Sequence, residues 1–305
     1  MGKTAFIFPG QGAQYVGMAK DFYDSIPECK EIIRLAGEVS GLDMEALLFE
    51  ENENINITEY TQIAMLAAEA AMLKAVEQKG IKADVTAGLS LGEYGALLAA
   101  GVMDTADVLR LVRKRGIYMQ EAYPQGGAMS AVLGLDTETI EKICEETEGQ
   151  VSVANYNCPG QTVITGEENA VARAVEKLTE AGAKRCVSLK VSGPFHSPLL
   201  SGAGDKLQAE LQNVTVHDMQ IPYLANVTGD YVTDISQVKE LLAKQVASSV
   251  RWQQSVEKMI ADGVTTFIEI GPGKTLAGFM RKINKDVTVI NIEKLEDLEK
   301  LSVLK

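Results

Sequence analysis

Asp84-Val85-Thr86-Ala87-Gly88-Leu89-Ser90-Leu91-Gly92-Glu93-Tyr94 decides how the chain is read. Asp84 to Ala87 has the apolar, β-branched character of a short buried strand. Leu91 to Ala100 reads as a helix that stops at Gly101. Between them Gly88-Leu89-Ser90-Leu91-Gly92 is a G-x-S-x-G pattern, and a strand-to-helix turn this tight strains the backbone at its serine. The side chain is then thrust outward, and the helix aims its first N–H groups at the same point. Bare Gly/Ser spacing is common in strand-to-helix loops. The flanking strand and helix are what make Ser90 a candidate nucleophile.

Outward from this turn, strands alternate with helices. Thr4–Phe8 reads as the first strand and runs into a glycine loop at Pro9-Gly10-Gln11-Gly12; helices are expected near 17–25, 28–40 and 61–79. This rhythm predicts an α/β fold with a parallel sheet covered on both faces. Residues 126–192 break it. Their predicted order is β-α-β-β-α-β, with strands at 127–135, 151–157, 161–165 and 185–191, which is the ferredoxin-like unit. The expected organisation is therefore a hydrolase-like α/β core of 1–125 and 193–305, with 126–192 as a ferredoxin-like insertion. Further strands are expected at 221–226, 264–270 and 287–292, and helices at 198–211, 235–262 and 275–283.

Composition bounds the partners. The chain has 305 residues, 46% hydrophobic and 23% charged, as in ordinary globular proteins. A net charge of −13 argues against nucleic acid as a partner. No apolar run reaches the ~18 residues of a membrane span. The first residues run straight into a strand without a signal-peptide shape. Four scattered cysteines read as reduced thiols, with Cys158 beside Pro159 the one expected at the surface. Together these features predict a cytoplasmic protein, and a monomer is the expectation, although none of them fixes the oligomeric state.

A nucleophilic serine needs a base, and the chain holds two histidines. His217 falls at a polar position near a strand start and reads as solvated. His196 lies in Gly193-Pro194-Phe195-His196-Ser197-Pro198, a loop stiffened by prolines, and is the candidate general base. In the helix expected from Asp104 to Tyr123, Val108, Leu111, Val112, Met119 and Ala122 form the apolar stripe, and Arg115 falls in its middle. A buried guanidinium needs an anion. Helical geometry leaves two choices open, a structural pair with a residue such as Glu93 or a clamp on a substrate carboxylate. The N–H of Leu91, just after the nucleophile, is one candidate oxyanion donor, and the N–H of Gln11 in the glycine loop is the second. Neither Gly10-x-Gly12 nor Gly273-Lys274-Thr275 completes a nucleotide-binding motif, because Tyr15 and Ile268 stand where glycine is required. No metal-ligand spacing is present, so no metal is expected.

Five motifs now stand in order: Phe8-Pro9-Gly10-Gln11-Gly12-Ala13-Gln14, Gly88 to Tyr94, Arg113-Lys114-Arg115-Gly116, Gly193 to Pro198, and Glu269-Ile270-Gly271-Pro272-Gly273-Lys274. They span essentially the whole chain, which resembles the malonyl-CoA:acyl carrier protein transacylases of bacterial fatty acid synthesis. The resemblance implies Ser90 as nucleophile, His196 as base, Arg115 as the carboxylate-binding residue, and the N–H groups of Gln11 and Leu91 as oxyanion donors. It implies that a main-chain carbonyl, mapped to Arg251, orients the histidine. Met119 and Phe195 are expected to line the substrate pocket. Leu89 stands where many members have histidine, and Phe195 resembles the pattern of malonyl-selective members. The implied reaction is ping-pong, with malonyl-CoA and acyl carrier protein as partners and no cofactor. The carrier protein is acidic, so a basic patch is expected among Lys184, Arg185, Lys190, Arg281, Lys282 and Lys285. The competing readings are a serine hydrolase on the same turn and a polyketide-type acyltransferase acting in trans. Arg115 weighs against the first. A chain that opens on its first strand weighs against a domain cut from a larger synthase.

Overall fold

The computed structural model describes residues 2–304. Its ten strands are β1 (Lys3–Phe8), β2 (Val85–Gly88), β3 (Gly127–Leu133), β4 (Val151–Cys158), β5 (Gln161–Glu167), β6 (Arg185–Ser188), β7 (Leu224–Ala225), β8 (Asp230–Tyr231), β9 (Val264–Ile270) and β10 (Thr288–Ile292). Four of them form a parallel sheet in the order β10-β9-β1-β2. Successive side chains of a strand point to opposite faces, and β1 shows the consequence. Ala5 and Ile7 join one core beneath helices Trp252–Ala261 and Thr275–Ile283, while Phe6 and Phe8 join the other, beneath helix Thr58–Gln78. With both faces covered, the strands read as continuous apolar runs. Helix Thr58–Gln78 is buried almost all round, as its Ala- and Met-rich sequence requires.

The second sheet is antiparallel, in the order β4-β5-β3-β6. Numbered within the unit this is 2-3-1-4, the ferredoxin-like arrangement read from the sequence. One face packs on helices Thr137–Glu145 and Glu168–Glu180 through Val132, Val153 and Ile164. The other face, with Met129, Ala131 and Val163, belongs to the main core. Backbone bonds from Tyr156 N to the carbonyl of Val250 and from Val250 N to that of Ala154 fasten β4 to the larger unit. The antiparallel sheet thereby stands over the carboxyl ends of β1 and β2.

Four expectations change. The strand expected at 221–226 is reduced to a bridge between Tyr223 and Thr86 plus the two-residue β7. Pro222 removes a ladder donor there, and the chain turns back through Gly229, at φ 65°, into β8. The strand expected at 185–191 stops at Ser188, and Leu189 and Val191 line a cavity instead. The helical region expected at 235–262 is three pieces, Ile235–Gln237, Val238–Gln245 and Trp252–Ala261, and the break after Gln245 serves the site described below. Cys158, expected at the surface, is 2% exposed because it ends β4 against β5.

The two glycines of the elbow are sterically enforced. A Cβ on Gly88 would sit 1.9 Å from the Gly92 carbonyl oxygen, and one on Gly92 would sit 2.1 Å from that of Phe8. The turn is thus pressed against the end of β1. Gly92→Ala is expected to cost at least the roughly 1–3 kcal/mol typical of overpacking. A urea midpoint equal to that of the parent chain would contradict this close approach.

Candidate active site

Ser90 lies between β2 and helix Gly92–Ala99 at φ 54°, in the left-handed region that L-residues avoid. His196 lies in the proline loop at φ 59°. With Ala19 they are the positive-φ residues other than glycine among the described residues. The strain aims two side chains at each other: Ser90 Oγ donates to His196 Nε2 at 2.7 Å. On the far side of the ring, Nδ1 donates to the carbonyl oxygens of Gln245, at 2.8 Å, and Ser248, at 3.1 Å. These acceptors fix the tautomer that leaves Nε2 free to take the serine proton. They belong to the end of helix Val238–Gln245 and the turn after it, where carbonyl groups lack helical partners and favour positive charge.

This corrects the role expected of Arg251. Its carbonyl oxygen accepts from the N–H and Oγ of Ser255 in the first turn of helix Trp252–Ala261, and its own N–H donates to the Asn226 carbonyl. The helix start uses that carbonyl, so the histidine is held by Gln245 and Ser248 instead.

Arg115 is 1% exposed on helix Thr105–Ala122. Its guanidinium donates from Nη1 to Gln62 Oε1 at 2.7 Å, and from Nη2 to Gln245 Oε1 at 3.0 Å and Ser90 Oγ at 3.2 Å. None of the ion pairs among the described residues includes it. The alternative of a direct pair with Glu93 is not realised. Glu93 Oε2 accepts instead from Gln245 Nε2 at 2.6 Å and from the Asn226 N–H at 3.1 Å, and burial pushes its carboxyl up to about 7. Arg115 is therefore a buried cation held by neutral oxygens and touching the nucleophile. Burial, followed by the charge of Arg115, lowers the imidazole of His196 to about 4. The base is neutral at physiological pH.

Ser90, His196 and Arg115 line a cavity of about 230 Å³ between the two sheets, together with Gln11, Leu91, Met119 and Phe195. The backbone N–H groups of Gln11 and Leu91 have no protein acceptor among the described residues. β4 adds Asn155 and Asn157 to the wall. His217 is elsewhere, 3.4 Å from Asp104 at a larger open cleft of about 1060 Å³ that contains none of these residues.

Sequence reasoning missed three side chains that build the site. Gln62 and Gln245 accept from Arg115. Asn226 accepts from Ser90 N at 2.6 Å and donates to the Gly88 carbonyl at 2.6 Å. Each is a lone polar residue beside an apolar run: Gln62 before Ile63-Ala64-Met65-Leu66, Asn226 after Tyr223-Leu224-Ala225, and Gln245 at the foot of an amphipathic helix. That was the available signal.

The depressed His196 value fixes a pH dependence. Protonation of Nε2 removes the base, so activity falls as pH drops through the folded-state value. With an uncharged acyl donor such as 4-nitrophenyl acetate, acylation of Ser90 is expected to stay level from pH 8 to about 5 and to decline near 4. An acid limb near the ordinary histidine value of about 6.5 would contradict the burial and charge argument. The same shift means that the unfolded chain takes up its proton first, so this group's contribution to native stability is lost as pH falls from about 6.5 towards 4.

Comparison with known proteins gives the chain's relatives. A family model described as acyl transferase domain matches residues 5–296. The malonyl CoA-acyl carrier protein transacylase of Bacillus subtilis strain 168 is 44% identical over 304 residues, covering 98% of this chain and 96% of its own. The crystal structure of the malonyl CoA-acyl carrier protein transacylase from Clostridium perfringens superposes with a TM-score of 0.95 at 46% identity, over 99% of this chain and 97% of that one. A malonyl-transacylase solved in complex with a type II PKS acyl-carrier protein gives 0.96 at 39% identity, over 99% of this chain and 100% of that one. The chain belongs to the acyl transferase family, among its malonyl CoA-acyl carrier protein transacylases.

Proposed function

We propose that this chain moves a malonyl group from CoA to the phosphopantetheine thiol of acyl carrier protein through a malonyl ester on Ser90. The observation that carries this is Arg115, a buried guanidinium without a carboxylate partner that donates to the nucleophile oxygen. A neutral acyl group gives it nothing to pair with, whereas the distal carboxylate of malonate supplies the anion that a buried charge requires.

The steps follow from the geometry. His196 Nε2 takes the Ser90 proton as Oγ attacks the malonyl thioester carbon. The N–H groups of Leu91 and Gln11 face the negative oxygen that forms. As the intermediate collapses, the carbon–sulfur bond breaks, and His196 gives its proton to the departing CoA thiolate. The carrier thiol then gives its proton to His196, attacks the serine ester and leaves with the malonyl group, while Ser90 Oγ recovers a proton. Imidazolium forms transiently in both halves, and the Gln245 and Ser248 carbonyls that hold Nδ1–H stabilise it. Each step uses only this chain and its two substrates. Water would hydrolyse the ester. A narrow cavity walled by Met119, Met129 and Phe195 gives water few places to be held for attack.

The acidic carrier requires positive charge on a chain of net charge −13. Lys184, Arg185, Lys190, Arg281, Lys282 and Lys285 are all exposed. Three of them gather at one end of the antiparallel sheet. Leu133 there pairs with both Gln161 and Arg185, Gly134 abuts Lys184, and Lys282 Nζ reaches Gln161 Oε1 at 3.4 Å.

Mass spectrometry after mixing with malonyl-CoA is expected to show a malonyl adduct on the parent chain and none on Ser90→Ala. A parent chain without adduct, or an adduct that survives in Ser90→Ala, would remove the central claim. Arg115→Ala is expected to lower malonyl transfer by about a hundredfold or more, the equivalent of roughly 3 kcal/mol for a lost buried pair, while acetyl transfer changes little. Equal losses for both acyl groups would end the clamp role.

A further inference from the structure

The Glu93 side chain bonds none of Ser90, His196 and Arg115 directly, yet a single residue, Gln245, links it to all three. It lies in the first turn of helix Gly92–Ala99 and is 1% exposed. Its Oε2 accepts from Gln245 Nε2 and from Asn226 N, while Oε1 has no partner among the described residues. Gln245, fully buried, spends its remaining groups on the reacting residues. Nε2 also donates to the Ser90 carbonyl at 2.9 Å, Oε1 accepts from Arg115, and the main-chain carbonyl accepts from His196.

A carboxamide has two distinct ends, and here the surroundings choose between them. Arg115 carries only donors, so it needs the oxygen of Gln245. The Ser90 carbonyl and the Glu93 carboxylate are acceptors, so they need the NH2 group. Reversing the amide would set N–H against the guanidinium and oxygen against two acceptors. Glu93 contributes the shortest bond holding the NH2 end. The chemistry of transfer does not otherwise employ Glu93.

We propose that Glu93 is a positioning residue for the selection of a carboxylated acyl group, fixing through the Gln245 amide where the Arg115 guanidinium points. The proposal rests on the clamp role of Arg115 given above. Reach matters more than charge in it. A side chain that still places an acceptor at the Oε2 position keeps Gln245 oriented, and one that withdraws the acceptor releases it.

Two variants separate these terms. Glu93→Asp keeps the charge and loses about one methylene of reach, while Glu93→Gln keeps the reach and loses the charge. The measurement is kcat/KM for malonyl and for acetyl transfer from the CoA thioesters, with Arg115→Ala run alongside. Glu93→Asp is expected to lower the malonyl-to-acetyl preference about tenfold or more, while acetyl transfer persists and reports an intact fold. Glu93→Gln is expected to hold the preference within about threefold of the parent. An unchanged preference in Glu93→Asp, equal losses for both acyl groups, or a Glu93→Gln variant as impaired as Glu93→Asp would each overturn the proposal. If Glu93→Asp does not fold, Glu93→Ala decides against Glu93→Gln on the same ratio: the preference must fall in the first and hold in the second. If Arg115→Ala leaves the preference intact, the clamp reading has failed. If Arg115→Ala abolishes it and Glu93→Asp does not, only the role of Glu93 has.

Discussion

A guanidinium shut away from water among neutral oxygens is the constraint around which the rest of this structure is arranged. Moving an ion into a protein interior costs several kcal/mol unless something compensates. Here the compensation is deliberately partial. Two glutamine oxygens accept from Arg115, and the face of Tyr94 lies 5.4 Å from its centre, but the nearest carboxylate bonded to this network reaches it only through an amide. Each supporting group comes from a different part of the chain. Gln62 lies on the buried helix beneath the parallel sheet, Gln245 on the helix that ends at the base, and Tyr94 on the helix of the nucleophile. The cation can keep its place only while all of these elements are packed.

The same arrangement explains why a histidine can act without a carboxylate partner. An aspartate at Nδ1 would raise the affinity of the ring for a proton and place an anion near the clamp. Carbonyl oxygens at a helix end orient the ring and favour the transient imidazolium more gently. The positive charge of Arg115 and burial meanwhile keep the resting ring neutral. Base and clamp are therefore tuned against each other: the group proposed to bind the acyl carboxylate also keeps the base ready to accept a proton.

Much of this was legible in sequence because it rests on local rules. The elbow needs glycine at two positions, the stripe on helix Thr105–Ala122 points Arg115 inward, and prolines flank His196. The order of strands in the inserted unit followed from the spacing of apolar segments. What was not legible is long-range. Which carbonyl meets Nδ1 depends on where helix Val238–Gln245 ends relative to a loop about fifty residues earlier. Arg251 lay close in sequence to the correct answer, but it starts a new helix. The roles of Gln62, Asn226 and Gln245 likewise exist only in three dimensions. The shortened segment at 221–226 was misread because an apolar run signals burial whether or not it pairs along its length.

Ser90 and His196 are both held at positive φ. For residues with a Cβ this conformation costs on the order of 1–2 kcal/mol each. The two side chains proposed to react are thus also two places where the backbone would rest more easily with glycine. Drift toward greater robustness would tend to erase the catalytic pair before it disturbed the apolar core. Only continued demand for acyl transfer keeps the less comfortable residues in place.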